Sequence, residues 1–125
     1  MSIHPTLRYT DAHTTIKFLT GTFGLTEMHT STDGSGAVTH AELSWGDGVV
    51  MLGTRSDPPG PFDTGRAVLY LTTDDPDALH ERVVAAGAEI VYGLTDQPYA
   101  SREFAAKDPE GNVWCFGTYH PAAAS

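Results

Sequence analysis

Apolar positions follow two alternating rhythms along this chain. Over Thr6–Thr10, Leu25–Thr30, Ala37–Trp45 and Val49–Gly53 they alternate with polar ones, the mark of a strand with one buried face. After Asp11 they return at helical spacing through Ile16, Phe18 and Leu19 to Phe23, which predicts a helix capped by the Asp11 carboxylate and closed by Gly24. Turns fall at Asp33-Gly34-Ser35-Gly36 and Gly46-Asp47-Gly48. The first half therefore reads β-α-β-β-β.

The stretch Thr54 to Gly65 holds Pro58, Pro59 and Pro61 and interrupts regular structure. Beyond it the same order returns. Ala67–Thr72 reads as a strand, Asp75-Pro76 opens a helix over Leu79–Ala86, and Gly87 ends it. Glu89–Tyr92, Arg102–Ala106 and Val113–Phe116 read as strands, with the turn Asp108-Pro109-Glu110-Gly111-Asn112 between the last two. Asp11 and Asp75, Gly24 and Gly87, and Gly48 and Gly111 lie 64, 63 and 63 positions apart, a degenerate internal duplication. The expected fold is α+β: two βαβββ half-modules form a curved, trough-shaped mixed sheet with helices on the outer faces. The half-modules span 1–55 and 66–120, with a linker at 56–65 and a tail at 121–125, in a single domain of residues 1–125.

Composition narrows the function. At 125 residues and 40% hydrophobic, the chain buries a core without a structural metal. The formal charge of −9 disfavours nucleic acid and anionic membrane surfaces as partners. One cysteine, Cys115, rules out an intrachain disulfide, and no run of about 18 apolar residues spans a bilayer. A soluble cytoplasmic protein is expected. The acid lies mostly in turns and helix starts, and only Glu42 and Glu103 are expected to look into the trough, so a cationic ligand is to be inferred from those two.

The doubled plan, the early Leu7-Arg8-Tyr9-Thr10-Asp11 and the Asp108-Pro109-Glu110-Gly111-Asn112 turn resemble the glyoxalase / bleomycin-resistance / extradiol-dioxygenase superfamily, also called vicinal oxygen chelate proteins, over about residues 3 to 119. The ending Val113-Trp114-Cys115-Phe116-Gly117-Thr118-Tyr119 is similar to its PhnB-like members. Metal-dependent members take one ligand from the first and last strand of each half, and the resemblance maps these onto His4, Leu52, Val68 and Cys115. Leucine and valine have no lone pair to offer, so neither a bound metal nor any other cofactor is expected. Glu42, in Ala41-Glu42-Leu43-Ser44-Trp45, resembles a glyoxalase ligand motif, but pairing Gly48 with Gly111 assigns Leu52 as the partner of Cys115.

The trough is therefore expected to be lined by Leu52, Val68, Tyr70 and Cys115 and rimmed by His4, Arg8, His40 and Glu42, with Glu103 also facing it. An arginine placed like Arg8 holds a substrate carboxylate in glutathione-using relatives of the family. His40 and Glu42 are the candidate acid and base, or else a solvated strand face. Trp114 is expected against the second helix, and His13, His29, His80 and His120 are expected to face solvent. The implied function is a homodimeric, metal-independent protein that binds or sequesters a small molecule. The alternative is a lyase, isomerase or dioxygenase with a divergent divalent-metal site at His4, Glu42 and either Cys115 or Glu103.

Overall fold

The computed structural model describes residues 1–121. Its elements are β1 (Thr6–Tyr9), α1 (Ala12–Phe18), a π-turn (Leu19–Phe23), β2 (Thr26–Thr32), β3 (Val38–Trp45), β4 (Gly48–Thr54), β5 (Val68–Thr72), α2 (Pro76–Ala85), β6 (Ile90–Gln97), β7 (Ser101–Lys107) and β8 (Val113–Gly117). The chain divides into two compact units at Ala67/Val68, so the proline-rich segment belongs with the first. Each unit carries one open four-stranded mixed sheet, ordered β1-β4-β3-β2 in the first and β5-β8-β7-β6 in the second. In both, the outer first strand runs parallel to the last strand and the other pairs are antiparallel.

Local chemistry explains the helix boundaries. The Asp11 carboxylate accepts from Thr14 N (3.1 Å) and the Asp75 carboxylate from Ala78 N (3.0 Å), satisfying amides that the first helical turn leaves unpaired. Pro76 follows Asp75, where its missing N–H costs nothing. Gly24 and Gly87 end the helical segments at φ 92° and 81°, a backbone region that side chains with a β-carbon rarely enter. The first helix departs from expectation in its last turn, where Gly24 N bonds Leu19 O at 3.0 Å in π-helical spacing.

Each sheet buries one face. Tyr9, Leu19, Phe23, Leu43 and Leu52 form the core of the first unit, and Val83, Phe104, Trp114 and Phe116 that of the second, all fully buried. Burial of each such side chain is worth about 1.5–3 kcal/mol. Phe104 stacks on Phe116 with ring centroids 5.4 Å apart, and His80 meets Phe104 edge-on at 5.1 Å. His80 is thus half-buried rather than solvent-facing.

The strand register corrects one expectation. Trp45 pairs with Gly48 across a two-residue turn, whereas Lys107 pairs with Val113 across five residues. Gly48 is therefore in a strand, and Gly46, at φ 58°, turns the hairpin as Gly111 does at φ 90°. The residue equivalent to Cys115 is Met51, which opposes Thr6 and Glu42 as Cys115 opposes Tyr70 and Ala105. Leu52 instead pairs with Leu7 and Ala41 on the helix-covered side at 0% exposure, so it lines no ligand site.

Candidate functional site

The uncovered face of the second sheet carries the densest chemistry. Strand alternation puts Val68 and Tyr70 on this face from β5, Cys115 and Gly117 from β8, and Ser101, Glu103 and Ala105 from β7. Glu103 is only 3% exposed, so its carboxylate needs hydrogen-bond partners. Tyr99 Oη donates to its Oε1, and Ser101 Oγ donates to its Oε2 at 3.0 Å. Because Ser101 gives its proton to Glu103, Tyr70 Oη at 3.1 Å must donate to Ser101 Oγ, and Tyr70 in turn accepts from Tyr119 N at 3.1 Å. All these donors point toward Glu103, a chain in which each bond polarises the next.

Gly117 makes the chain possible. A β-carbon there would overlap the Tyr70 hydroxyl and lie 2.6 Å from Glu103 Cβ. The rings of Tyr70 and Tyr99 both meet the Tyr119 ring edge-to-face, at centroid distances of 6.3 and 5.9 Å. All three remain partly exposed, with Tyr99 at 53%, and Val68 on the same face is 73% exposed. The second unit thus presents a cluster of aromatic rings over a buried carboxylate.

Electrostatics keep the surrounding groups protonated at neutral pH. Burial pushes the Cys115 thiol up, a hydrogen bond from Tyr92 only partly offsets that, and the Glu103 charge adds to it, which disfavours the thiolate. Burial raises the Tyr70 and Tyr92 phenols, and the hydrogen bond to Glu103 pushes Tyr99 up to about 12. Above the ordinary phenol range of about 10, the unfolded chain loses these protons while the folded one keeps them. Folding stability is therefore expected to fall as pH rises from about 10 through 12. A phenolate absorbance titration checks this: three tyrosines titrate late in the native protein, and Tyr99 returns toward normal in Glu103→Gln. Native tyrosines that all titrate near 10 would contradict the arrangement.

The first unit places its predicted residues less coherently. His40 Nε2 lies 2.8 Å from Glu42 Oε2 on the uncovered face of β3, both side chains part-exposed, and this bond holds the Glu42 carboxyl below its usual range. His4 precedes β1, is exposed, and bonds Ser2 Oγ at 2.7 Å and the Val49 carbonyl at 3.3 Å. Arg8 lies against the proline-rich segment, its guanidinium 5.7 Å from the Phe62 ring centroid. The positions that the family resemblance gives to a metal hold an exposed histidine, a buried leucine, a valine and a protonated thiol. This donor set does not fit a divalent ion. Among the described residues, no three His, Cys, Asp or Glu side chains lie close enough to hold one.

Sequence reasoning missed Tyr92, Tyr99, Ser101 and Tyr119. Ser101 was accessible through its strand parity with Glu103. The tyrosines left a compositional signal, since four of the chain's five lie after residue 67.

Comparison with known proteins gives a consistent picture. A family model for the Glyoxalase/Bleomycin resistance protein/Dioxygenase superfamily matches residues 2–116. An uncharacterised protein of Mycobacterium bovis is 30% identical over 93% of this chain and 82% of its own length. The crystal structure of TioX from Micromonospora sp. ML1 superposes with a TM-score of 0.81 at 30% identity, covering 96% of this chain and 99% of that one. A lactoylglutathione lyase from Agrobacterium tumefaciens, at 18% identity and a TM-score of 0.72 over 94% of this chain and 92% of its own, shares the fold.

Proposed function

The chain belongs to the glyoxalase/bleomycin resistance protein/dioxygenase superfamily, and from that membership we propose that it is a metal-independent protein that binds and sequesters a small cationic molecule at the uncovered face of its second unit. The observation that carries the proposal is Glu103, a 3% exposed carboxylate held by Tyr99 and Ser101 beneath the part-exposed rings of Tyr70, Tyr99 and Tyr119. Aromatic faces attract a cation, by roughly 2 kcal/mol or more once it is desolvated, and a buried negative charge adds to that attraction. Tyr70 and Glu103 set the polar boundary, while Val68 and Cys115 supply apolar contact. Cys115 has a packing role, because its thiol is protonated.

The donor set above favours binding over the metal-dependent chemistry of a lyase, isomerase or dioxygenase. The His40–Glu42 pair carries the opposing reading, since an imidazole hydrogen-bonded to a carboxylate is a competent base. Its part-exposed position matches a solvated strand face equally well. In this reading the protein acts as a homodimer of the PhnB-like kind, with Val68 and Tyr70 left to the ligand.

A thermal-shift screen combined with metal analysis of the purified protein tests the proposal. Cationic aromatic antibiotics and quaternary ammonium compounds are expected to raise the melting temperature, because a ligand that binds only the folded state stabilises it. Glutathione adducts and oxo acids are expected to leave it unchanged at this site. Stoichiometric nickel, zinc, iron or manganese whose removal abolishes a turnover activity would establish the enzyme reading instead.

A further inference from the structure

Hydrogen-bond direction on the uncovered face of the second unit limits what a bound cation can be. Glu103 is 3% exposed, and each of its oxygens already accepts a proton from within the protein, Oε1 from Tyr99 Oη and Oε2 from Ser101 Oγ at 3.0 Å. Ser101 is buried too, gives its proton to Glu103, and accepts from Tyr70 Oη at 3.1 Å. Tyr70 Oη accepts in turn from Tyr119 N at 3.1 Å. The backbone that supplies this amide is itself fixed, by Thr118 N donating to Arg102 O at 3.2 Å and Thr72 Oγ1 donating to Tyr119 O at 3.0 Å. Tyr92, on the same face through its pairing with Ala105, donates to Cys115.

The Tyr70 hydroxyl also covers the carboxylate. A β-carbon on Gly117 would meet Tyr70 Oη, Glu103 Cβ and, at 3.0 Å, Glu103 Oε2, so the missing side chain is what lets the hydroxyl lie against the acid. The face therefore offers a ligand ring surface and phenol oxygens, which are weaker acceptors than a carboxylate. A primary ammonium carries three N–H donors, and each one that leaves water without finding a new acceptor weakens binding. A quaternary ammonium has no N–H to satisfy, and its charge is attracted by ring faces and by a nearby buried carboxylate without touching the latter. We propose that, within the cation-binding reading on which this inference rests, the site selects ligands whose cationic centre bears no N–H, quaternary over primary ammonium. The Tyr70 hydroxyl enforces the choice. Its ring attracts either kind of cation, while its hydroxyl keeps N–H donors from Glu103 Oε2 and Ser101 Oγ. Burial of methyl groups would by itself also favour a quaternary ion, so the test has to separate the two causes.

Titration calorimetry of choline and ethanolamine, which differ only in three N-methyl groups, into the native full chain and into Tyr70→Phe makes that separation. Choline is expected to bind the native protein about tenfold or more tightly than ethanolamine does. In Tyr70→Phe the ring stays while the carboxylate and Ser101 Oγ are uncovered, so ethanolamine is expected to gain until the ratio falls to about threefold or less. Equal binding of the two amines by the native protein overturns the proposal and leaves the cation-binding reading standing. A preference for choline that Tyr70→Phe leaves unchanged overturns it as well, because methyl burial then accounts for the whole difference. If neither amine binds the native protein, the cation-binding reading falls and this proposal with it. The comparison on the native protein decides even if Tyr70→Phe folds poorly, which its melting temperature reports.

Discussion

Replacing Asp108 by alanine is expected to lower folding stability by about 4 kcal/mol and the melting temperature by about 15 °C. This carboxylate is 4% exposed and accepts from four donors: Glu110 N at 2.9 Å, Asn112 N at 3.1 Å, Asn112 Nδ2 at 3.0 Å and Trp114 Nε1 at 3.1 Å. Alanine strands all four, and hydrogen bonds to a charged acceptor contribute about 1.5–3 kcal/mol each. The damage reaches the core through Trp114, which is fully buried and whose indole N–H would lose its acceptor. Asparagine at the same position keeps one acceptor oxygen but turns an amide donor toward the donors that the second oxygen served, so it recovers little. Asp47→Asn, in the exposed turn of the other hairpin, is the matched control and is expected to stay within about 0.5 kcal/mol. Chemical denaturation of the three variants measures the difference, and an Asp108→Ala protein as stable as the control would refute this account of the turn.

The order of elements was legible in the sequence because it rests on local chemistry. Asp11 and Asp75 cap the helices through amides three residues away, and Gly24 and Gly87 supply the left-handed residue that ends each helical segment. Register was not legible, because it depends on how many residues each turn consumes. Aligning Gly48 with Gly111 equated a strand residue with a turn residue and moved Leu52 to the wrong face of the sheet. The length of β6 was hidden for a similar reason. The strand expected over Glu89–Tyr92 runs on to Gln97, and Thr95, Asp96 and Gln97 pair with β7 beyond two register irregularities.

The candidate site was legible only in part. Parity placed Tyr70, Glu103 and Cys115 on one face correctly. The tyrosines that complete the cluster come from β6, from the turn before β7 and from beyond β8, so no window of sequence joins them. Arg8 was expected at the rim of an open face, but a segment that reads as a structureless linker closes over its guanidinium.

The second large effect is expected at Glu103, where Gln should reduce affinity for a cationic ligand about 100-fold, equivalent to about 2.7 kcal/mol. The fold should survive, since an amide oxygen still accepts from Tyr99 or Ser101 and the substitution removes a buried charge instead of creating one. What disappears is the negative potential beneath the rings of Tyr70, Tyr99 and Tyr119, leaving only their weaker attraction for a cation. The most direct measurement is calorimetric titration of choline and of its neutral isostere dimethylbutanol into the metal-free native protein and the Glu103→Gln variant. A cation-binding site predicts that choline binds the native protein, that the isostere does not, and that the variant loses most of the choline affinity while its melting temperature stays within a few degrees of native. Equal binding of choline and its isostere, or undiminished choline affinity in Glu103→Gln, would contradict it.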